Sequence, residues 1–156
     1  MPKLLPGDRA PDLTLPAADG SSVPLSDLWT RGWTLLTFYR GDSCPVCNRY
    51  LHGLQEVLGQ FQEAGARIVA ISADRPDLER ETVERQKLAF PVLSDPEHRA
   101  IDAYDVIYNE TAGHAEPAVF LISPTGTIAY ESIVSGPLGR PAPDDLLKIV
   151  HMASRR

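Results

Sequence analysis

Cysteine is scarce in this sequence. The 156 residues hold two, Cys44 and Cys47. Two thiols cannot staple a disulfide scaffold, and a structural zinc site needs four ligands, with His52 the only imidazole close to the pair. The other histidines, His98, His114 and His151, are scattered, and no Ser-His-Asp arrangement follows from their spacing. A glycine-rich phosphate loop is missing, which leaves nucleotide binding without support. No apolar run approaches the ~20 residues of a membrane span. Positive charge is in deficit. Lys and Arg total 15 against 21 Asp and Glu, a formal net charge of −6 that repels nucleic-acid backbones. The opening stretch MPKLLPGDRAPDLTLP is interrupted by Pro, Gly and Asp, so the apolar core of a signal peptide is not expected and a cytoplasmic protein is. No metal and no cofactor are expected. Small thiols keep cysteines reduced in the cytoplasm, so a close pair there reads as catalytic, redox-sensing or metal-binding.

What is present is a patterned chain without repeats, of a length that suits one domain over 1–156. The first 32 residues, rich in Pro, Gly and Asp, predict an extended opening segment with a hairpin, then a helical turn at LSDLW with Ser26 or Asp27 near its start. WTLLTFY (33–39) has the length and composition of a buried strand. Leu51, Leu54, Leu58 and Phe61 recur at helical spacing across 44–65, with Pro45 in the first turn and Gly65 as the stop. Gly53 and Gly59 weaken that helix. ARIVAIS (66–72) predicts a second buried strand, and 75–88 a charged surface helix opened by Asp74 and Asp77. FPVLSD predicts a short strand and PEHRAIDAYDV a short helix. AVFLIS and TIAYESIV, joined by PTG, predict a hairpin. APDDLLKIVHMA closes with a helix whose Asp144 and Asp145 suit its N-terminal dipole. The order predicts an α/β fold: a mixed central sheet with helices on both faces. Trp29 and Trp33 read as packing residues.

CPVC falls where a buried strand gives way to a helix. Free backbone N–H groups and the positive end of the dipole stabilise a thiolate there. A second cysteine one turn on can attack a mixed disulfide or sulfenic acid on the first. A C-x-x-C pair beside a βαβ pattern is a redox signature.

The stretches LLPGDRAPDLTLPAADGSSVPLSDL, LLTFYRGDSCPVC, IVAIS, EPAVFLISPTGTIAY and SGPLGRP, which span nearly the whole chain, resemble the thioredoxin-fold redoxins. The likeness is strongest to peroxiredoxin-like members of the alkyl hydroperoxide reductase/thiol-specific antioxidant family. It implies a thioredoxin fold with an N-terminal extension. Two patterns compete at the site. The peroxiredoxin pattern P-x-x-x-T/S-x-x-C places Arg40 at the proline, Cys44 at the threonine and Cys47 at the peroxide-attacking cysteine. The thioredoxin pattern makes Cys44 the exposed attacker and Cys47 the buried resolver. Peroxiredoxins carry an arginine just before the late hairpin strand. Pro117 stands there instead, and the thioredoxin likeness implies a cis peptide between Glu116 and Pro117.

Supporting roles are expected of four further residues. Arg40 would lower a thiol pKa by charge, or sit in a surface ion pair. Asp42 would oppose it, or be a plain turn residue. Tyr39 would line the site. Arg140, in GPLGRP, would approach the active site or remain solvated. The resemblance implies a thiol-disulfide oxidoreductase that reduces disulfides or hydroperoxides through a Cys44–Cys47 disulfide, with a thioredoxin-type or small-thiol electron donor. The alternative is a redox sensor or binding module that keeps the fold and turns nothing over.

Overall fold

The computed structural model of the chain describes residues 4–133 and 139–155. Of the SGPLGRP stretch, residues 135–138 lie outside these, as does Val134 at the end of the predicted last strand. The predicted opening hairpin forms from β1 (Thr14–Pro16) and β2 (Ser22–Pro24), followed by α1 (Leu25–Trp29). Neither Ser26 nor Asp27 caps α1. Asp12 reaches across instead, and its carboxylate accepts from Ser26 N at 2.9 Å.

The sheet is then built outward from its middle. β3 (Trp33–Phe38) lies at the centre and leads into α2 (Pro45–Glu56) and α3 (Leu58–Glu63). β4 (Ala66–Ser72) returns parallel to β3, with Trp33 opposite Ala66 and Phe38 opposite Ile71. α4 (Pro76–Gln86) and β5 (Val92–Ser94) extend the parallel side. α5 (Arg99–Ala103) and a small hairpin of β6 (Tyr108–Asn109) and β7 (His114–Ala115) carry the chain across. β8 (Ala118–Ile122) then pairs antiparallel with β3, β9 (Ile128–Ile133) pairs antiparallel with β8, and α6 (Pro143–Ser154) closes the chain. The sheet order is β5-β4-β3-β8-β9, the mixed arrangement expected.

The helix predicted over 44–65 is two helices. Val57, at φ −104° and ψ 7°, breaks it between α2 and α3. This β-branched residue stands between Gly53 and Gly59, where helix propensity is weakest. Gly65 does end α3, at a φ of +81° that suits glycine. The charged helix stops at Gln86, earlier than expected, because Lys87 turns left-handed.

Side chains alternate across the sheet and fill two cores. Leu36, Phe38, Val69, Ile71 and Phe120 pack on one face under α1 and α5. Leu35, Tyr39, Ile68, Val119 and Leu121 pack on the other against Leu51, Leu54 and Phe61 of α2 and α3 and Leu146 and Val150 of α6. On the first face Phe38, Tyr104 and Phe120 form a ring cluster with centroids 5.1–5.9 Å apart. Phe120 touches both other rings, so Phe120→Ala should cost about 3–5 kcal/mol in urea unfolding. No described helix is long and apolar enough to cross a membrane.

Candidate active site

β3 delivers the loop 39–44 to the carboxyl end of the parallel strands, at the middle of the sheet. Gly41 takes φ +141° there, and a Cβ would come within 3.0 Å of the Asp74 carboxylate. The same carboxylate accepts from Asp42 N at 2.7 Å, and Asn48 Nδ2 donates to Asp42 O at 2.9 Å. The loop is therefore tied to α2 and to the turn that precedes α4. Pro45 occupies the first turn of α2, as expected, and Cys44 is the N-cap. Its sulfur accepts from Cys47 N at 3.3 Å, the place a serine or threonine oxygen usually fills.

The two thiols have different surroundings. Cys44 is partly exposed and Cys47 is fully buried. Two donors converge on Cys47 Sγ, Arg40 N and Arg140 Nη2, both at 3.4 Å. Arg140 lies over the Tyr50 ring, 4.3 Å from its centroid, and Tyr50 OH donates to Pro141 O at 2.6 Å. The aromatic ring on α2 thus holds both the guanidinium and the chain that carries it. Burial pushes the Cys47 thiol above its usual value and the Cys44 thiol adds to this, while the charge of Arg140 and the Arg40 N–H pull it back. A cleft of about 350 Å³ lined by Val46, Arg49, Tyr50 and Arg140 opens beside the pair.

Several expectations change. The Glu116–Pro117 peptide is trans, since the described chain has no cis bond. Trans is the lower-energy form, and it continues the extended run into β8, where Ala118 pairs with Phe38. Pro117 is buried at that strand end. Arg40 does not turn its charge toward the sulfur. Its guanidinium meets His114 Nε2 at 2.6 Å and Glu116 Oε2 at 3.8 Å, because the buried Glu116 carboxylate attracts it. Only its main-chain N–H reaches Cys47. Asp42 is drawn off as well, accepting from Arg85 and Thr82 at 2.6 Å each. Tyr39 does not line the site. It is fully buried beneath it in the core that holds Cys47, and burial with the nearby Glu79 pushes its phenol far above the usual range. His52 pairs with Glu56 on the surface of α2. Among the described residues no cluster of three or more His, Cys, Asp or Glu could hold a metal.

His114 and Glu116 are the site neighbours that spacing alone does not find. They arrive through the β6–β7 hairpin, whose only sequence signal is the short NETAG turn ending at Gly113, φ +78°.

Comparison with known proteins agrees with this geometry. A putative peroxiredoxin of Mycobacterium tuberculosis (strain H37Rv) is 34% identical over 131 residues, 81% of this chain and 83% of that protein. Peroxiredoxin Bcp of Escherichia coli K12 is 32% identical over 106 residues, 68% of this chain and 67% of that protein. The solved structure of a Xylella fastidiosa PrxQ variant superposes with a TM-score of 0.87 at 23% identity, covering 99% of each chain, and so shares the thioredoxin fold. The AhpC/TSA family model matches residues 6–131. The chain thus belongs to the AhpC/TSA family, and it is a peroxiredoxin-type, thiol-dependent oxidoreductase whose two cysteines stand together at the head of α2.

Proposed function

We propose that the chain, acting as a single redoxin domain, reduces hydroperoxides with Cys47 as the attacking thiol and Cys44 as the resolver. The observation that carries this is the convergence of Arg140 and the Arg40 N–H on the Cys47 sulfur. Both donors favour the thiolate, and both stand where charge develops as the O–O bond breaks. The Cys47 thiolate attacks the distal peroxide oxygen. The O–O bond breaks, the alkoxide leaves and takes a proton, and Cys47 becomes a sulfenic acid. Cys44 then attacks that sulfur, water departs, and a Cys44–Cys47 disulfide remains. Two electrons from a thioredoxin-type or small-thiol donor restore the dithiol, which suits a reducing compartment such as the cytoplasm.

Exposure divides the labour. A protein thiol cannot reach a fully buried sulfur, and Cys44 is the partly exposed member of the pair. The donor would therefore attack Cys44, and Cys47 would leave as a thiolate stabilised by Arg140. The same exposure favours a second reading for protein disulfides, in which Cys44 makes the first attack. The trans Glu116–Pro117 bond lacks the thioredoxin-like mark that this second reading would bring.

Single variants separate the roles. Peroxide treatment of Cys44→Ser should leave a sulfenic acid on Cys47 that a cyclic dione traps, seen by mass spectrometry, while Cys47→Ser traps none. Trapping on Cys44 alone would reverse the assignment. Wild-type oxidation no faster than free cysteine in stopped flow would favour a sensor.

A further inference from the structure

Arg40 touches Cys47 with its main chain while its side chain is anchored elsewhere. The anchor is His114. Arg40 Nη2 lies 2.6 Å from His114 Nε2, and Arg40 Nε lies 3.3 Å from Nδ1 and 3.8 Å from Glu116 Oε2. A guanidinium only donates, so the imidazole must accept, and a ring with both nitrogens protonated has nothing to accept with. The shorter contact makes Nε2 the acceptor. Nδ1 then carries the proton and donates to Ala115 O at 3.2 Å. The two Arg40 contacts cannot both be hydrogen bonds to one neutral ring, and the 3.3 Å approach of Nε to Nδ1 is the one that is not.

We propose that His114 is a positioning residue for Cys47: its neutral ring holds Arg40 so that the Arg40 amide stays on the Cys47 sulfur, and protonation of the ring releases that hold. The inference deepens the reading of Cys47 as the attacking thiol. Among the described residues two charged groups meet the ring, Arg40 from the loop after β3 and Glu116 from the segment just after β7. Asn109, opposite His114 in register on β6, donates to Glu116 Oε1 at 3.4 Å. A protonated ring would stand beside a permanent cation, and it would turn to Glu116 Oε1, now 3.7 Å from Nδ1. Its charge would not assist the thiolate directly. The ring meets the far end of the Arg40 side chain, and the charge that acts on Cys47 is that of Arg140, not that of Arg40. The lost amide bond therefore decides the sign, and Cys47 becomes less reactive as the ring is protonated.

The test uses the Cys44→Ser protein, in which Cys47 is the only thiol. Its alkylation rate by iodoacetamide is followed from about pH 5 to 8. With His114 present, the acid side should fall below a single thiol titration. His114→Gln keeps an accepting carbonyl at every pH and should follow the single titration. His114→Leu should slow alkylation about tenfold to a hundredfold throughout, the effect of losing one hydrogen bond to a charged group. Should the leucine variant fail to fold, the glutamine profile decides alone. A glutamine variant that keeps the acid-side deficit, or a folded leucine variant that alkylates at the original rate, overturns the role. Alkylation consumes no peroxide, so the two ideas fail separately. Profiles as stated with no peroxide turnover would leave the positioning role and remove the peroxidase.

Discussion

Arg140→Leu should lower kcat/KM for hydroperoxide by about 10²–10³-fold, the usual cost of removing one donor aimed at developing negative charge. Burial already holds the Cys47 thiol above its ordinary value, and Arg140 opposes that shift both by charge and by its hydrogen bond. Removing the guanidinium raises the thiol further, so less thiolate is present at neutral pH. The rising limb of the kcat/KM profile should therefore move to higher pH, and part of the lost rate should return in alkaline buffer. The part that does not return measures transition-state stabilisation, because extra thiolate cannot replace a donor on the departing oxygen. Arg140→Lys should fall between the two, since an ammonium keeps the charge but loses the fork and its stacking on Tyr50. Stopped-flow peroxide consumption between about pH 6 and 9, with circular dichroism to confirm the fold, gives both quantities. Unchanged kcat/KM in the leucine variant, with an unmoved profile, would remove Arg140 from the chemistry.

The site reads from sequence as far as local rules reach. β4 and the head of α2 were legible because periodicity, a first-turn proline and a glycine stop all point one way. The cysteine pair was legible because its chemistry is written in its spacing. The partners of those sulfurs were not, because they come from distant segments. Arg140 lies 93 residues after Cys47, and only resemblance pointed to it. Arg40 shows the opposite difficulty. Its closeness in sequence suggested a charge on the thiol, yet the charge is spent on His114 and Glu116, which arrive through a hairpin of two-residue strands. Asp42 likewise looked like an electrostatic opponent and is instead held by Arg85 and Thr82. The cis bond expected at Pro117 followed from analogy with thioredoxin, and the extended run into β8 has no use for it. Local pattern thus located the two thiols, and tertiary contact decided what surrounds them.

Glu79 should make the protein lose stability as the solution becomes alkaline, and Glu79→Gln should abolish that loss. The residue sits in the first turn of α4, fully buried beneath the site, where it accepts from Ser72 Oγ at 2.8 Å. Burial first, and then the carboxylates of Asp74 and Asp95, push its pKa up to about 9. The unfolded chain ionises Glu79 near its ordinary value of 4.5, so between about pH 4.5 and 9 the folded state holds a proton that the unfolded state has released. Its contribution is most favourable below about pH 4.5 and falls as pH rises, until the folded state also ionises at about 9. At ~1.4 kcal/mol per pH unit, the penalty at pH 7 is at most about 3 kcal/mol. Glutamine reproduces the uncharged acid with an accepting oxygen for Ser72 Oγ, but cannot ionise. The variant should match wild type near pH 4.5 and exceed it by about 2–3 kcal/mol at pH 7. Urea unfolding across this range measures it, and the difference between the two proteins cancels the similar slopes of Asp74 and Asp95. Parallel curves would show that Glu79 is not protonated in the fold. The consequence reaches the thiols, because Asp74, which faces Glu79, also holds Asp42 N and the loop that carries Cys44. A buried neutral acid at this position keeps negative charge away from the aspartate that fixes that loop.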